Sequence, residues 1–344
     1  FLKGKLRFTV DVYQKYIKDL LQKKVKMPTS IGYGNGYEVS YMNSGKMTNK
    51  GWEFRVDAVP FENRDWRVGF YFNIAHNENK ITEMPDNYTE ENYTFNNGEY
   101  AYRREEGRPM GSFYGYRYKG VCQNKDATYA RDADGNVMKD ISGNAIVMRN
   151  GTATIAPGDA LYEDINHDGV INQYDIVYLG NSNPRFTGGA GVNVSYKQFK
   201  LSAIFYGRYG QDVVNSTRLN NESMRGIDNQ STAVLRRWRN EGDQTDIPRA
   251  LYGEGYNTLG SDRFVEDASY LRLKSLSFNY RLPKKIIQRW GFSNIDVYVT
   301  GYNLFTWTKY TGQDPEVKTE NTYARDSATT PASIQLVAGF NLSF

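Results

Sequence analysis

A single cysteine, Cys122, serves all 344 residues, which excludes an internal disulfide and leaves the redox compartment unread. Histidine is nearly as scarce. His76 and His167 are the two present, and neither has a second histidine or a cysteine at ligand spacing, which argues against zinc. No apolar run approaches the roughly 18 residues of a membrane helix, and mean hydropathy is −0.68. The 43 basic and 39 acidic residues, net +4, are mixed along the chain without a block of one sign, so no nucleic-acid footprint is present. The G-x-S-x-G elbow of a hydrolase is missing. Glycines near Tyr33-Gly34-Asn35-Gly36 lack the strand-to-helix setting of a phosphate cradle and read as a mobile loop. Nothing here indicates an enzyme.

Against these absences stand 28 Tyr and 17 Phe, with aromatics at 15% and all hydrophobic residues at only 39%. A soluble protein this polar has few aliphatics from which to build a core, and a disordered one carries few aromatics. A transmembrane β-barrel reconciles the two, because only alternate strand residues and two aromatic girdles face lipid while the lumen and loops are polar.

Period-two alternation recurs in segments about the length of a tilted membrane strand. In 5–17, Leu6, Phe8, Val10 and Val12 alternate with Lys5, Arg7, Thr9 and Asp11. In 51–59, Trp52, Phe54, Val56 and Ala58 share a face, and in 66–76 so do Trp66, Val68, Phe70, Phe72 and Ile74. Further segments at 185–196, 199–209, 269–282, 294–305 and 333–344 bring the expectation to about eight strands. Connections at 60–65, 197–198 and 283–293 are short. Those at 18–50, 77–184, 210–267 and 306–332 are long and polar. Short turn alternating with long loop is the outer-membrane pattern, long loops outside the cell, and that parity puts the C-terminus on the periplasmic side. Trp52, Trp66, Trp290 and Trp307 fall near strand ends, where girdle aromatics belong, the alternative for each being a core aromatic. The stretch 233–239 around Trp238 has helical spacing and reads as a short extracellular helix.

The chain closes with Ile334, Leu336, Ala338, Phe340, Leu342 and Phe344 on one face, an apolar edge that invites aggregation in a soluble protein but suits a terminal membrane strand. Its start, running from Phe1 straight into alternation without an initiator Met or a signal peptide, reads as the interior of a longer protein.

Several blocks resemble one family, the SusC/RagA-type TonB-linked outer-membrane transporters. The run from Asn43 and Gly45 through Asn49-Lys50-Gly51-Trp52-Glu53 resembles the family's N-x-G-x-x-x-N-K-G-x-E. Gly111-Ser112-Phe113-Tyr114-Gly115-Tyr116 resembles its G-S-F-Y-G-Y, and Gly180-Asn181-Ser182-Asn183-Pro184-Arg185-Phe186-Thr187 its G-N-x-x-P-x-F-T. Ser269-Tyr270-Leu271-Arg272-Leu273-Lys274 and Gly301-Tyr302-Asn303-Leu304-Phe305 match two more family blocks. The resemblance implies an all-β fold, the C-terminal segment of an antiparallel transmembrane barrel of roughly 22 strands, with the N-terminal plug lying before Phe1. It implies import of glycan or peptide oligomers through the bacterial outer membrane. The partners it implies are a SusD-like surface lipoprotein, TonB and outer-membrane lipid.

One segment carries metal chemistry of its own. Residues 164–175 fit the calcium loop D-x-N-x-D-G-x-I-x-x-x-D, whose spacing delivers the oxygens that hard Ca²⁺ requires from one turn of chain. Asp164, Asn166 and Asp168 offer side-chain oxygens, Val170 its carbonyl, Asn172 a direct or water-mediated contact, and Asp175 the final carboxylate. Gly169 permits the bend and Ile171 pins the loop. The alternative is an Asx-rich turn that binds nothing. A structural Ca²⁺ ordering the long extracellular loop 77–184 is the expectation. Two other functions stay open at this stage: a self-contained small outer-membrane barrel acting as an adhesin or structural protein, and a soluble extracellular calcium-binding β-protein.

Overall fold

The computed structural model describes every residue except 1–3, 27–37, 44, 85–95, 102–103, 254 and 321–322, and leaves the side chains of 21–26, 38–42 and 319–320 undescribed. The Tyr33–Gly36 loop expectation, Ser44 of the first family block and the first three residues lie outside the described set.

Alternation along the chain becomes one eight-stranded antiparallel sheet in chain order. Its strands are β1 (Leu6–Lys18), β2 (Lys46–Glu62), β3 (Trp66–Glu83), β4 (Phe186–Tyr196), β5 (Phe199–Tyr209), β6 (Tyr270–Arg281), β7 (Asn294–Thr308) and β8 (Gln335–Ser343). Each pairs with its sequence neighbour, from Val10↔Phe54 at one edge to Val297↔Phe340 at the other. Among the described residues β1 and β8 remain edges, so the sheet is an open stretch of barrel wall.

Short connections gather at one end. Asn63 closes the β2–β3 turn by accepting from the Asp65 and Trp66 amides, and Lys197, in the left-handed region at φ 51°, makes the two-residue β4–β5 turn possible. A helical turn over Lys284–Ile287 and a 3₁₀ turn over Gln288–Trp290, stopped by Gly291 at φ 77°, bridge β6 and β7. The long loops leave from the opposite end.

The eight expected segments are these eight strands, but two are longer than their apolar patterns. β2 has 17 residues and β3 has 18, whereas about 9–11 span a membrane. Beyond Ala75 the alternation turns polar (Asn77, Glu78, Asn79, Lys80), yet the ladder continues to Lys46↔Glu83. Pairing persists where lipid no longer demands apolar side chains. The 18–50 loop likewise holds a hairpin of Leu21–Lys26 with Glu38–Asn43.

Side chains divide between the two faces, with Ile204 and Val337 as exposed apolar residues on the polar one. Phe72, Val192, Phe205, Leu271, Val299 and Phe340 stand on the apolar face. On β8, Leu336 is 75%, Phe340 67% and Leu342 41% exposed, which a water-facing sheet would not tolerate and a lipid-facing one requires. The opposite face carries Arg55–Asp57, Ser202–Asn193, Ser277–Thr300 and Arg281–Asp296 pairs. Aromatics mark both rims of the apolar band. Trp52, Phe186 and Tyr209 lie at the long-loop level, with ring centroids 6.1 and 6.4 Å apart. Trp66 and Tyr196, at 4.3 Å, and Phe199 and Tyr280, at 4.7 Å, lie at the short-turn level.

The buried hydrophobic clusters sit almost wholly among the long loops. One joins Ala101, Tyr114, Tyr116, Ala160, Tyr162, Ile171, Ile176 and Leu259, and a second joins Tyr100, Phe113, Val214, Leu219, Phe264 and Tyr323. The Gly111–Tyr116 block supplies both: Ser112–Gly115 is a fully buried strand paired with Val177–Asn181. The 233–239 stretch is a 3₁₀ turn at Thr232–Arg236 rather than an α-helix, with Trp238 just beyond it, its amide bonded to the Ile247 carbonyl at 2.9 Å.

Candidate functional site

Two places combine position with chemistry: the polar face of the wall beneath the loops, and the Asp-rich loop.

On the polar face the β7–β8 loop folds back over the sheet. Pairing of Arg325 and Asp326 with Val214 and Asn215 ties it to the neighbouring loop, and its anchor on the sheet is Arg272, whose side chain on β6 is 3% exposed. Its Nε donates to Thr306 Oγ1 at 2.9 Å, one Nη to Glu316 at 2.9 Å and the other to Asp314. Lys274 also donates to Glu316, at 2.9 Å. Asp314 accepts from the Glu316 and Ala332 amides as well, both at 2.9 Å, which ties the outgoing limb of the loop to the returning one. Burial pushes the Asp314 carboxyl up, but those amides and the Arg272 guanidinium outweigh it and hold the group below the usual carboxylate range. The sequence placed Arg272 and Lys274 only within a family block; Asp314 and Glu316 carried no signal, because their partners lie more than forty positions away.

The loops themselves are tied by ion pairs whose carboxylates are largely buried. Arg249 meets Asp159 at 2.7 Å, and Asn257 donates to the same carboxylate at 3.1 Å. Arg218 bridges Glu222 and Glu266, and Arg263 reaches Glu222 at 2.8 Å.

In the Asp-rich loop the residues expected as ligands cap the backbone. Asp164 accepts from the Gly169 amide at 2.8 Å and the Asp168 amide at 3.3 Å. Asn166 bonds Asp168 at 2.9 Å, and Asp168 accepts from the Val170 amide at 2.7 Å. Asn172 donates to the Val170 carbonyl at 3.0 Å and accepts from the Tyr174 amide. Gly169 sits at φ 80°, as the bend needs, and Ile171 is fully buried, as the pinning role needs. Asp175 is fully buried too, and its two oxygens accept from the Ile165 and Asn172 amides, each at 2.8 Å. Burial raises its carboxyl pKa, and the neighbouring charges of Asp164 and Asp168 raise it further. The donor set is all oxygen, which suits a hard cation, and its mutual repulsion is what such a cation would relieve. Among the described residues no three His, Cys, Asp or Glu groups converge in metal-holding geometry; donors here include two Asn and a carbonyl. His167 is directed to the Arg131 carbonyl at 3.2 Å, and His76 to that of Arg185 at 2.6 Å.

A scan of family models gave no match. Comparison with characterised proteins did. The chain is 31% identical over 92% of its length to the TonB-dependent receptor P3 of Formosa agariphila, covering 29% of that protein. It is 25% identical over its whole length to the TonB-dependent receptor SusC of Bacteroides thetaiotaomicron, covering 31% of it. Among solved structures, that of the RagAB peptide transporter superposes with a TM-score of 0.70 at 27% identity, over 99% of this chain and 34% of the other. The chain thus spans about a third of the length of the curated relatives it matches.

Proposed function

The chain belongs to the SusC/RagA type of TonB-dependent receptors, proteins of the outer membrane, and on that premise we propose that it forms the C-terminal part of a barrel importing nutrient oligomers, glycan or peptide. The observation that carries the proposal is the two-faced wall: an antiparallel sheet with exposed Leu336 and Phe340 on one side and a charged, hydrogen-bonded lining on the other. Such a wall separates hydrocarbon from a water-filled passage, and the relatives are named as TonB-dependent receptors and a peptide transporter.

In this reading the long loops face outward, the C-terminus is periplasmic, and the packed loop body over the wall is the platform on which a SusD-like surface lipoprotein closes. TonB acts through the part of the protein preceding this chain. The outward orientation exposes 164–175 to millimolar calcium, and the loop takes one structural Ca²⁺ through Asp164, Asn166, Asp168, the Val170 carbonyl, Asn172 and Asp175. All-oxygen donors and crowded negative charge support that assignment.

The deciding experiment is uptake of labelled oligomers by cells expressing the full-length protein, with and without functional TonB. Import requires both; equal uptake in cells lacking the gene would refute the proposal.

A further inference from the structure

Between the polar face and the β7–β8 loop lies a cavity of about 790 Å³. Its two carboxylates, Asp314 and Glu316, are committed to Arg272, Lys274 and loop amides. Its own bases are not so committed. Arg208 on β5 donates its Nε to the Tyr206 hydroxyl at 3.2 Å, and Arg325 donates its Nε to Ser216 at 2.6 Å. Among the described residues neither of them, nor Lys318, forms an ion pair, whereas Arg272 and Lys274 do. Among the described residues three bases line the cavity, Arg208, Lys318 and Arg325, and its two carboxylates are already neutralised from the wall by Arg272 and Lys274, which leaves the three lining charges uncompensated. Thr329 and Thr330 add hydroxyls to the wall.

A concave site with unpaired guanidinium groups concentrates positive potential and draws anions in. A guanidinium fork matches a carboxylate with two parallel hydrogen bonds and gains orientation as well as energy. The threonine hydroxyls suit the remaining oxygens of a polar oligomer. Resting on the import reading above, we infer that this cavity is a substrate subsite for oligomers bearing carboxylates, with Arg208 and Arg325 as the recognising pair. The carboxylate is the shared chemistry of an acidic peptide and of a uronic-acid oligosaccharide. Neutral oligomers lack the group that the arginines would engage.

The test uses the full-length protein purified in detergent and titration calorimetry with four probes: triglutamate, triglutamine, trigalacturonate and maltotriose. At least one acidic probe binds while its neutral counterpart does not, and added salt weakens the binding. Triglutamate alone identifies a peptide subsite, trigalacturonate alone a glycan subsite, and both together a carboxylate subsite indifferent to backbone. The double variant Arg208→Gln with Arg325→Gln loses at least tenfold in affinity, which is the equivalent of one charged hydrogen bond or more. Arg208→Lys with Arg325→Lys, which keeps the charge but not the fork, loses less than the glutamine pair and shows that the barrel has folded. Neutral probes binding as tightly, neither acidic probe binding (as when an acidic segment of the same protein already fills the cavity), or an unchanged affinity in the glutamine double variant would each overturn the inference. TonB-dependent uptake of neutral oligomers with no uptake of acidic ones would sink it too, while leaving the import reading intact.

Discussion

Replacing Arg272 with methionine isolates one anchor of the β7–β8 loop, the one that ties it to the wall. Methionine keeps much of the side-chain volume but removes three hydrogen bonds, to Thr306, Asp314 and Glu316, at a site 3% exposed. Removing one partner of a buried ion pair costs about 3–5 kcal/mol, because the remaining charge is left desolvated. Here the lower end applies. Glu316 retains Lys274, and Asp314 retains two amide donors. A cost of about 3 kcal/mol corresponds to roughly two decades in the opening equilibrium of the loop. Hydrogen exchange of the Glu316 and Ala332 amides, both held by Asp314, reads that equilibrium in the full-length protein, and exchange about a hundredfold faster is expected in Arg272→Met. Lys274→Met serves as control. Its ion pair with Glu316 is about one-third exposed on both sides, and a partly solvated pair of this kind is worth about 1 kcal/mol or less. Exchange in Arg272→Met indistinguishable from the parent, or slower than in Lys274→Met, would refute the reasoning.

Four further outcomes are expected. Asp168→Ala abolishes the calorimetric uptake of Ca²⁺ by the full-length protein at millimolar calcium, and absence of uptake in the parent would remove the calcium assignment. Gly260→Ala places a Cβ 1.9 Å from the Glu99 carbonyl oxygen, an overpacking that costs about 1–3 kcal/mol, seen as a lower melting temperature and faster trypsin cleavage of the loop body. Asp314 has a folded pKa below its ordinary value of 3.8, so its contribution is present above that pH and lost as pH falls through the lower folded value. A spin label at Thr329→Cys should accordingly stay immobilised from neutral pH down to about 4 and loosen only in stronger acid. Leu336, in register with Gly301, Leu276 and Ala203, lies midway between the aromatic rims, so Leu336→Arg costs about 2–4 kcal/mol in urea unfolding from vesicles, while Gln335→Arg on the opposite face costs little.

The wall was legible in the sequence for a physical reason. Lipid on one side and water on the other impose a two-residue period that survives without any long-range information, which is why Phe199–Tyr209 emerges with both ends in place. Legibility ended where lipid ended. The polar extension of β3 to Glu83 carries no period, and only its pairing with β2 reveals it. In the Asp-rich loop, the bend at Gly169 and the burial of Ile171 followed from residue type alone. That Asp175 would be fully buried with both oxygens on backbone amides did not. Arg272 was visible as part of a block, but its function depends on carboxylates at 314 and 316 that no local pattern singles out.

This division explains why so polar a chain has a hydrophobic core at all. The wall needs none, since its apolar side chains are satisfied by hydrocarbon and its backbone by neighbouring strands. The loops stand in water and must bury apolar surface in the ordinary way, which they do with tyrosine. Tyr100, Tyr114 and Tyr162 are essentially buried, and each hydroxyl finds a partner: the Ser261 carbonyl, the Glu105 carboxylate and the Leu259 amide. A ring with a polar tip fits between irregular segments whose own backbone groups still need partners, where leucine would leave them unpaired. Tyr100 and Ser261 are 161 positions apart, and Ser182 reaches the Ala324 amide across 142. Contacts of that range fasten three of the four long loops, 77–184, 210–267 and 306–332, into one body.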